Sequence, residues 1–336
     1  MLFRSDILMD RRDSGHQEES RRLCDLNRKG KQELLKPVHH QGAQLSEQEL
    51  LPEETVCPLC NYEGKRRPVI TLQESPQVRL LACRCGCRSA SRMPRPEVLR
   101  DYYARYYAAI DGTATFDGSD RFARHLFRSL GVTPKSSLRI LDFGGGVDAT
   151  ISRSLARQFT ANGTDRVEIS LVDYNASCQR DWGAVTVNCY QNVQEAGGEF
   201  DVVIASAIME HIPYPRDILI SLLNSLGTQG RAYFRTPSMS SIVKLAARFG
   251  VYIDFTYPAH VHDMGQAFWE NVLPSLGASN NFSLIRSRPA IVETAFRVHP
   301  SRTAVAYALK APWWLLRGSY SMVGGWEGVI ARAGGS

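Results

Sequence analysis

Leu138 to Asp148, reading LRILDFGGGVD, narrows what this chain can fold into more than any other stretch. Apolar Leu138, Ile140, Leu141 and Phe143 run into three consecutive glycines, Gly144, Gly145 and Gly146. The segment ATISRSLARQF follows, with Ile151, Leu155 and Phe159 at helical spacing. A short buried strand, a glycine turn and an amphipathic helix make the first unit of a nucleotide-binding sheet. The glycines let backbone come close to a ligand where any Cβ would collide.

The alternation continues downstream. Val167 to Val172 reads as a second strand, with Asp173 at its C-terminal end. In a doubly wound sheet that position faces the ligand crevice, where a carboxylate can accept hydrogen bonds from both hydroxyls of a ribose. The competing role is capping of the next helix. Ala184 to Asn188 reads as a third strand and Phe200 to Ile204 as a fourth, followed by ASAIMEHIP. A helix is expected from Arg216 to Leu226, a turn at Gly227 to Gly230, and a fifth strand from Arg231 to Thr236 stopped by Pro237. Residues 239–277 read as helical with a central loop, and Phe282 to Ser287 as a late strand. Such alternation predicts an α/β, Rossmann-like, doubly wound and mostly parallel sheet with helices on both faces.

Upstream lies a different kind of sequence. Residues 1–52 are polar and charged without sustained periodicity and read as a disordered extension. Within residues 53–95, Cys57-Pro-Leu-Cys60 precedes Cys83-Arg-Cys85-Gly-Cys87, around the apolar strand of Val78, Leu80 and Leu81. Two thiolate pairs bracketing a strand match a small N-terminal zinc ribbon, with Cys57, Cys60, Cys83 and Cys85 as ligands and Cys87 as the alternative. Four thiolates leave no open coordination position, so this zinc would be structural. Residues 96–135 read as linking helices. The first carries Tyr102, Tyr103, Tyr106 and Tyr107 on one face, either as a packing surface or as a substrate wall.

The chain has 336 residues and a net charge of +6, from 40 Lys and Arg against 34 Asp and Glu. The basic residues are scattered, which argues against a nucleic-acid partner and suits a small acidic molecule as well. No apolar run reaches the roughly 18 residues that span a bilayer. No secretory signal opens the chain, so a cytoplasmic location is expected. The tail, residues 311–336, contains PWWLLRGSYSMVGGW. It reads as a packing helix or as a peripheral membrane contact.

Taken together, ILDFGGG, LVDYN, FDVVIASAIMEHI and GTQG-RAYFRTP resemble the motifs of class I S-adenosylmethionine-dependent methyltransferases, in order and spacing. The resemblance implies that domain over residues 136–310, with S-adenosylmethionine as cofactor. It implies cofactor contacts from Asp142, Gly144, Gly145, Gly146, Asp173, Tyr174, Ser206 and Glu210. The CPxC knuckle, the second cysteine group and the Tyr-rich helix resemble bacterial methyltransferases with an N-terminal zinc-binding module. That finer likeness implies a small-molecule acceptor, a nucleotide-linked sugar or a polysaccharide or natural-product intermediate. The family's turn runs G-x-G-x-G, and Asp148 stands here at its third glycine, placing a carboxylate near the methionine end. Sugar C-methyltransferases carry a further C-terminal domain that this chain leaves no room for, which makes carbon methylation the less expected reaction.

Methyl transfer is an in-line displacement, which needs alignment in a dry pocket more than it needs acid or base. A hydroxyl or enolisable carbon must still lose its proton, and neutral histidine suits that step near pH 7. His211, after the fourth strand, and His260 and His262, in YPAHVHDM, are the candidates. Three other readings compete. An RNA methyltransferase could use the ribbon to grip nucleic acid, although ASAIMEH lacks the Asn/Asp-Pro-Pro-aromatic group of base-amino methylation. A non-catalytic binding protein would follow if Asp148 spoils the pocket. A dehydrogenase shares the acidic second strand but not the Glu-His pair.

Overall fold

A computed structural model of the chain describes residues 43–109, 118–173, 180–316 and 320–333. The extension up to residue 42, Tyr174 and Cys178 lie outside the described residues. The elements in chain order are β1 (Arg67–Gln73), β2 (Val78–Ala82), β3 (Arg88–Ala90), α1 (Pro96–Ala109), α2 (Ser119–Leu130), β4 (Ser137–Phe143) and α3 (Thr150–Thr160). Next come β5 (Arg166–Val172), β6 (Arg180–Trp182), β7 (Val185–Tyr190), the short α4 (Val193–Ala196), β8 (Phe200–Ser206), α5 (Arg216–Asn224) and β9 (Leu226–Ser238). The last are α6 (Ser240–Arg248), β10 (His262–Asp263), α7 (Gln266–Leu276), β11 (Phe282–Pro289), α8 (Pro300–Leu316) and β12 (Gly324–Arg332).

Two sheets result. The larger runs β11-β12-β9-β8-β4-β5-β7-β6. Its centre, β9-β8-β4-β5-β7, is parallel, and β12 lies antiparallel to both β9 and β11. Parallel strands buried on both faces must be apolar nearly throughout. In β4, Leu138 and Ile140 join Phe122, Leu126, Leu155 and Phe159 of α2 and α3 on one face. Leu141 joins Leu219 and Leu222 of α5 and Phe268 and Trp269 of α7 on the other. The doubly wound α/β architecture is as the alternation predicts.

Three boundaries move. Residues 43–52, assigned to the disordered extension, are ordered. Leu45 and Leu50 are buried, Leu50 bridges to Pro94, and Arg92 clamps Glu47 at 2.6 Å. The strand expected to stop at Pro237 instead runs from Leu226 to Ser238. The supposed turn Gly227–Gly230 is an irregularity inside it, and Pro237 pairs with Gly325. The sheet tolerates Gly230 and no larger residue there, because a Cβ would lie 2.4 Å from the Phe200 carbonyl oxygen.

The largest correction concerns residues 311–336. The segment is not a tail outside the domain, because β12 fills the place between β9 and β11, with Trp326, Val329 and Ile330 fully buried. Leu315 and Leu316 at the end of α8 are exposed, while Trp313 rests edge-on against Trp326. Among the described residues no helix is long and apolar enough to cross a membrane.

Glu327 shows what fixes β12 in place. Its carboxylate is fully buried and accepts from His125 of α2 at 2.8 Å, Tyr233 of β9 at 2.9 Å and Arg288 of β11 at 2.5 Å. Burial alone would raise its pKa, but the bonds and charges of His125 and Arg288 hold it below the usual glutamate range. A glutamate depressed in the native state adds stability above its unfolded value, which is lost as pH falls through the native value. Glu327→Gln is therefore expected to cost about 1.5–3 kcal/mol in denaturant unfolding at neutral pH. It should also flatten the acid limb of the stability profile. An unchanged midpoint would show that β12 is held by its apolar face alone.

The smaller sheet runs β1-β2-β3-β10. Its fourth strand comes from far downstream, so residues 53–95 are not a self-contained module. His262 pairs with Ser89 and Asp263 with Arg88. The buried Asp263 carboxylate takes Arg88 at 2.8 Å and the Met239 amide at 2.7 Å, tying the cysteine-bearing sheet to the end of β9.

Candidate functional site

The larger sheet reverses its winding at β4, which lies between β5 and β8. Ligands of such sheets bind outside the C-terminal strand ends at that point. Gly144 (φ 75°) and Gly146 (φ 73°) turn the chain here in a conformation that disfavours any side chain. A Cβ on Gly144 would lie 2.7 Å from Ile208, whereas one on Gly146 would project into open space. Gly145 rests on the Asp142 carboxylate, which a Cβ would meet at 2.2 Å. Asp142 is thus beneath the turn. Burial, offset by Ser152 and reinforced by the Asp173 charge, raises its pKa to about 6. Asp173 accepts from the Gly146 amide at 2.9 Å, which joins the tip of β5 to the turn. Asp148 is exposed, with its carbonyl accepting from Arg153 at 3.3 Å. Backbone brought close by glycine, with space over Gly146 and a carboxylate beside it, suits an adenosine-type cofactor.

Beyond β8 the chain enters a left-handed residue, Ala207 (φ 56°), whose amide donates to the Arg235 carbonyl at 2.8 Å. The short helical turn Met209–His211 follows. Ser206 accepts from the Arg235 guanidinium at 2.9 Å, and Arg235 pairs with Glu293. Glu210 is 2% exposed, and its Oε2 has no hydrogen-bond partner among the described residues. Burial, only partly offset by its own backbone amide and by Arg235, raises its pKa to about 8. His211 lies 3.0 Å from the Tyr103 hydroxyl and 3.0 Å from the Ala259 carbonyl, both through Nδ1. The His260 ring is 4.7 Å from that of His211, and its Nδ1 meets the Thr256 hydroxyl at 2.6 Å. Thr256 is itself left-handed (φ 66°), a strained conformation for a β-branched residue.

Of the three candidate histidines, His211 and His260 come together and His262 does not. His262 is fully buried, with Nε2 donating to the Ile212 carbonyl at 2.8 Å and Nδ1 accepting from Ser89 at 3.0 Å. Burial lowers its pKa to about 4, so it stays neutral. With both nitrogens used inside the protein, it splints two elements and handles no substrate proton. Tyr103 reaches the site from α1, and Tyr102 is buried beside it. Arg235 and Thr256 escaped sequence reasoning. A charged residue in the apolar run of β9 was a signal for Arg235, and nothing in the sequence marks Thr256.

The second constellation is the cysteine group. Sulfur atoms of Cys57, Cys60, Cys83 and Cys85 lie within 4.8 Å of one another, with Cys57–Cys85 at 3.9 Å and Cys60–Cys83 at 3.6 Å. Tetrahedral zinc with bonds of about 2.3 Å sets sulfurs ~3.8 Å apart, so the four can hold such an ion. Without a shared cation the charge is uneven: the bond from Cys85 pulls Cys57 down to about 5, and burial pushes Cys60 up to about 11. Cys87 is fully buried outside the four, 3.4 Å from the Ser89 hydroxyl. Gly86 (φ 87°) abuts the backbone of α7, where a Cβ would meet Ala267 at 2.3 Å. The knuckle is thereby seated on the larger domain.

Comparison with curated proteins finds no match. Among solved structures, a candidate sarcosine dimethylglycine methyltransferase from Galdieria sulphuraria is 14% identical, covering 71% of this chain and 99% of its own at TM-score 0.38. The plantazolicin methyltransferase BpumL, solved with a triazolic desmethylPZN analog and SAH, is 12% identical over 70% of this chain and 91% of its own at TM-score 0.41. The [4+2]-cyclase SpnF is 14% identical over 63% and 80%, at TM-score 0.38. Likeness at this level says nothing about substrate. A family model described as a methyltransferase domain matches residues 116–285, which is half of the chain and contains β4, β5, β8 and the crevice between them. With the glycine turn, Asp173 and Glu210-His211 standing at the switch point of that sheet, the chain belongs to the methyltransferase-domain family of class I, S-adenosylmethionine-dependent enzymes.

Proposed function

We propose that this protein methylates a small polar metabolite, a nucleotide-linked sugar or a polysaccharide or natural-product intermediate, and that Cys57, Cys60, Cys83 and Cys85 carry a structural zinc. The observation that carries the reading is the set of groups at the C-terminal ends of β4, β5 and β8, where Gly144 meets Ile208. At one end are a glycine turn and Asp173. At the other, next to β8, are Tyr103, Glu210, His211 and His260. When bound, S-adenosylmethionine supplies a methyl group activated on a sulfonium. Asp173 would hold its ribose, and the open backbone at Gly146 would admit its amino-acid portion. Tyr103 and the two imidazoles give a polar end where an acceptor hydroxyl can be oriented and relieved of its proton. Holding acceptor and methyl in line can supply several kcal/mol of the barrier.

Calorimetric titration of S-adenosylhomocysteine, with NAD as control, tests the assignment. Binding of the homocysteine compound alone is expected. Asp173→Ala should weaken it by about 1–3 kcal/mol through lost charge-assisted hydrogen bonds, with little change in melting. Equal affinity in the variant would remove Asp173 from the cofactor site. No binding at all by folded protein would end the methyltransferase reading.

A further inference from the structure

The side chains around Glu210 do more than a lone general base requires. A base needs one imidazole with an available lone pair and one group to orient it. Here a carboxylate and two imidazoles converge, each offering one ligand atom, and all three atoms lie within 4.8 Å of one another.

Hydrogen bonding fixes which nitrogens those are. Ala259 O can only accept, and it sits 3.0 Å from His211 Nδ1. That nitrogen therefore carries the proton, and the lone pair is on Nε2, the atom 4.0 Å from Glu210 Oε1. The Thr256 hydroxyl, 2.5 Å from the Phe255 carbonyl, lies 2.6 Å from His260 Nδ1 and engages that nitrogen, so Nε2 is the ring nitrogen of His260 left to face the other two groups. Two neighbouring histidines, each with Nδ1 engaged by an oxygen of the surrounding shell, show the pattern of metal-bound imidazoles. The third member explains an otherwise costly feature. Glu210 is buried, and its Oε2 has no partner among the described residues. A buried carboxylate oxygen without a bond is normally avoided.

We propose that Glu210, His211 and His260 form the seat of a divalent transition-metal ion of the zinc or cobalt type, at the acceptor end of the crevice. Bonds of about 2.0–2.2 Å bring ligand atoms to within roughly 3.0–3.5 Å of each other, a closure that small side-chain torsions supply. Three protein ligands leave coordination positions open, unlike the closed thiolate tetrad. An acceptor hydroxyl taking one of them would be acidified. Its O–H bond would break with the electron pair left on oxygen and the proton passed to water. The seat itself stands on the geometry, while this catalytic role rests on the methyl-transfer reading above.

Cobalt titrated into full-length protein that carries a single equivalent of zinc, the amount the thiolate tetrad takes, tests the site directly. One Co2+ per chain is expected, with weak visible bands and without the sulfur-to-cobalt charge-transfer absorption of a thiolate site. Glu210→Gln and His260→Ala should each weaken uptake by at least about tenfold. Cysteine-bound zinc, measured in the same samples, should stay constant. S-adenosylhomocysteine titrations run alongside separate the two claims. No uptake, or equal uptake in both variants, by protein that still binds the homocysteine compound overturns the cation seat and leaves the methyltransferase reading standing.

Discussion

Cys57→Ser is expected to empty the thiolate tetrad, lower the melting temperature sharply and reduce turnover more than it weakens S-adenosylhomocysteine binding. The tetrad draws on two separate turns, Cys57–Cys60 and Cys83–Cys85, which sit in one core cluster with Phe268 and Trp269 of α7. A structural zinc site can contribute on the order of 10–16 kcal/mol of apparent binding free energy, and an ion bound only by the folded chain adds to its stability. The consequence reaches the crevice through backbone bonds. The Ala90 amide of β3 donates to Val261 O at 2.8 Å, and the Val261 amide donates to Glu210 O at 2.9 Å. His260 is thus held on a segment clamped between the cysteine-bearing sheet and the end of β8. The glycine turn and Asp173 are anchored by β4 and β5 and have no such dependence. Metal content, melting, ligand titration and turnover on the same preparation would check the whole chain of argument. Unchanged metal content and melting would refute the zinc site. Equal losses in turnover and in cofactor affinity would refute the link to His260.

Local sequence held the centre of this fold in plain view. Leu138–Phe143, Val167–Val172 and Phe200–Ile204 are apolar runs bounded by turn residues, and burial on both faces of a parallel sheet demands that pattern. What could not be read depends on partners distant in sequence. Gly324–Arg332 contains four glycine or alanine residues and a glutamate, a weak strand by composition. It becomes a strand paired on both sides because Glu327 finds His125, Tyr233 and Arg288 waiting for its charge. His262–Asp263 forms a strand of two residues, too short for any periodicity, and exists because β3 offers an edge.

The site divides in the same way. Gly144–Gly146 and Asp173 are announced by a local pattern, and the structure joins them through the Gly146 amide. For the histidines, HVH at 260–262 offers two equivalent residues, and alternation in an extended segment sends them to the same side. The structure separates them because Thr256 turns left-handed before His260, while His262 enters the strand pair with β3. One imidazole joins His211 and Glu210, and the other is sealed against Ser89 and the Ile212 carbonyl.

His260→Ala should therefore lower kcat by about 10²–10⁴-fold once an acceptor is in hand, with cofactor affinity unchanged. The ring lies against His211, offers a nitrogen within 4.8 Å of a Glu210 carboxylate oxygen, and has Nδ1 engaged by the Thr256 hydroxyl. On the reading proposed above, removing it would withdraw a group that acts on the acceptor's proton, directly or through a bound ion. It leaves Gly146 and Asp173 untouched. Tyr103→Phe keeps the aromatic contact with His211 and removes only the hydroxyl 3.0 Å from Nδ1. Orienting contacts of that kind are worth about 10–100-fold, so this variant should fall between His260→Ala and wild type. Single-turnover rates with saturating cofactor would measure both. A His260→Ala enzyme with an undiminished chemical step would show that this end of the crevice only shapes the pocket, and that methyl transfer here runs on alignment alone.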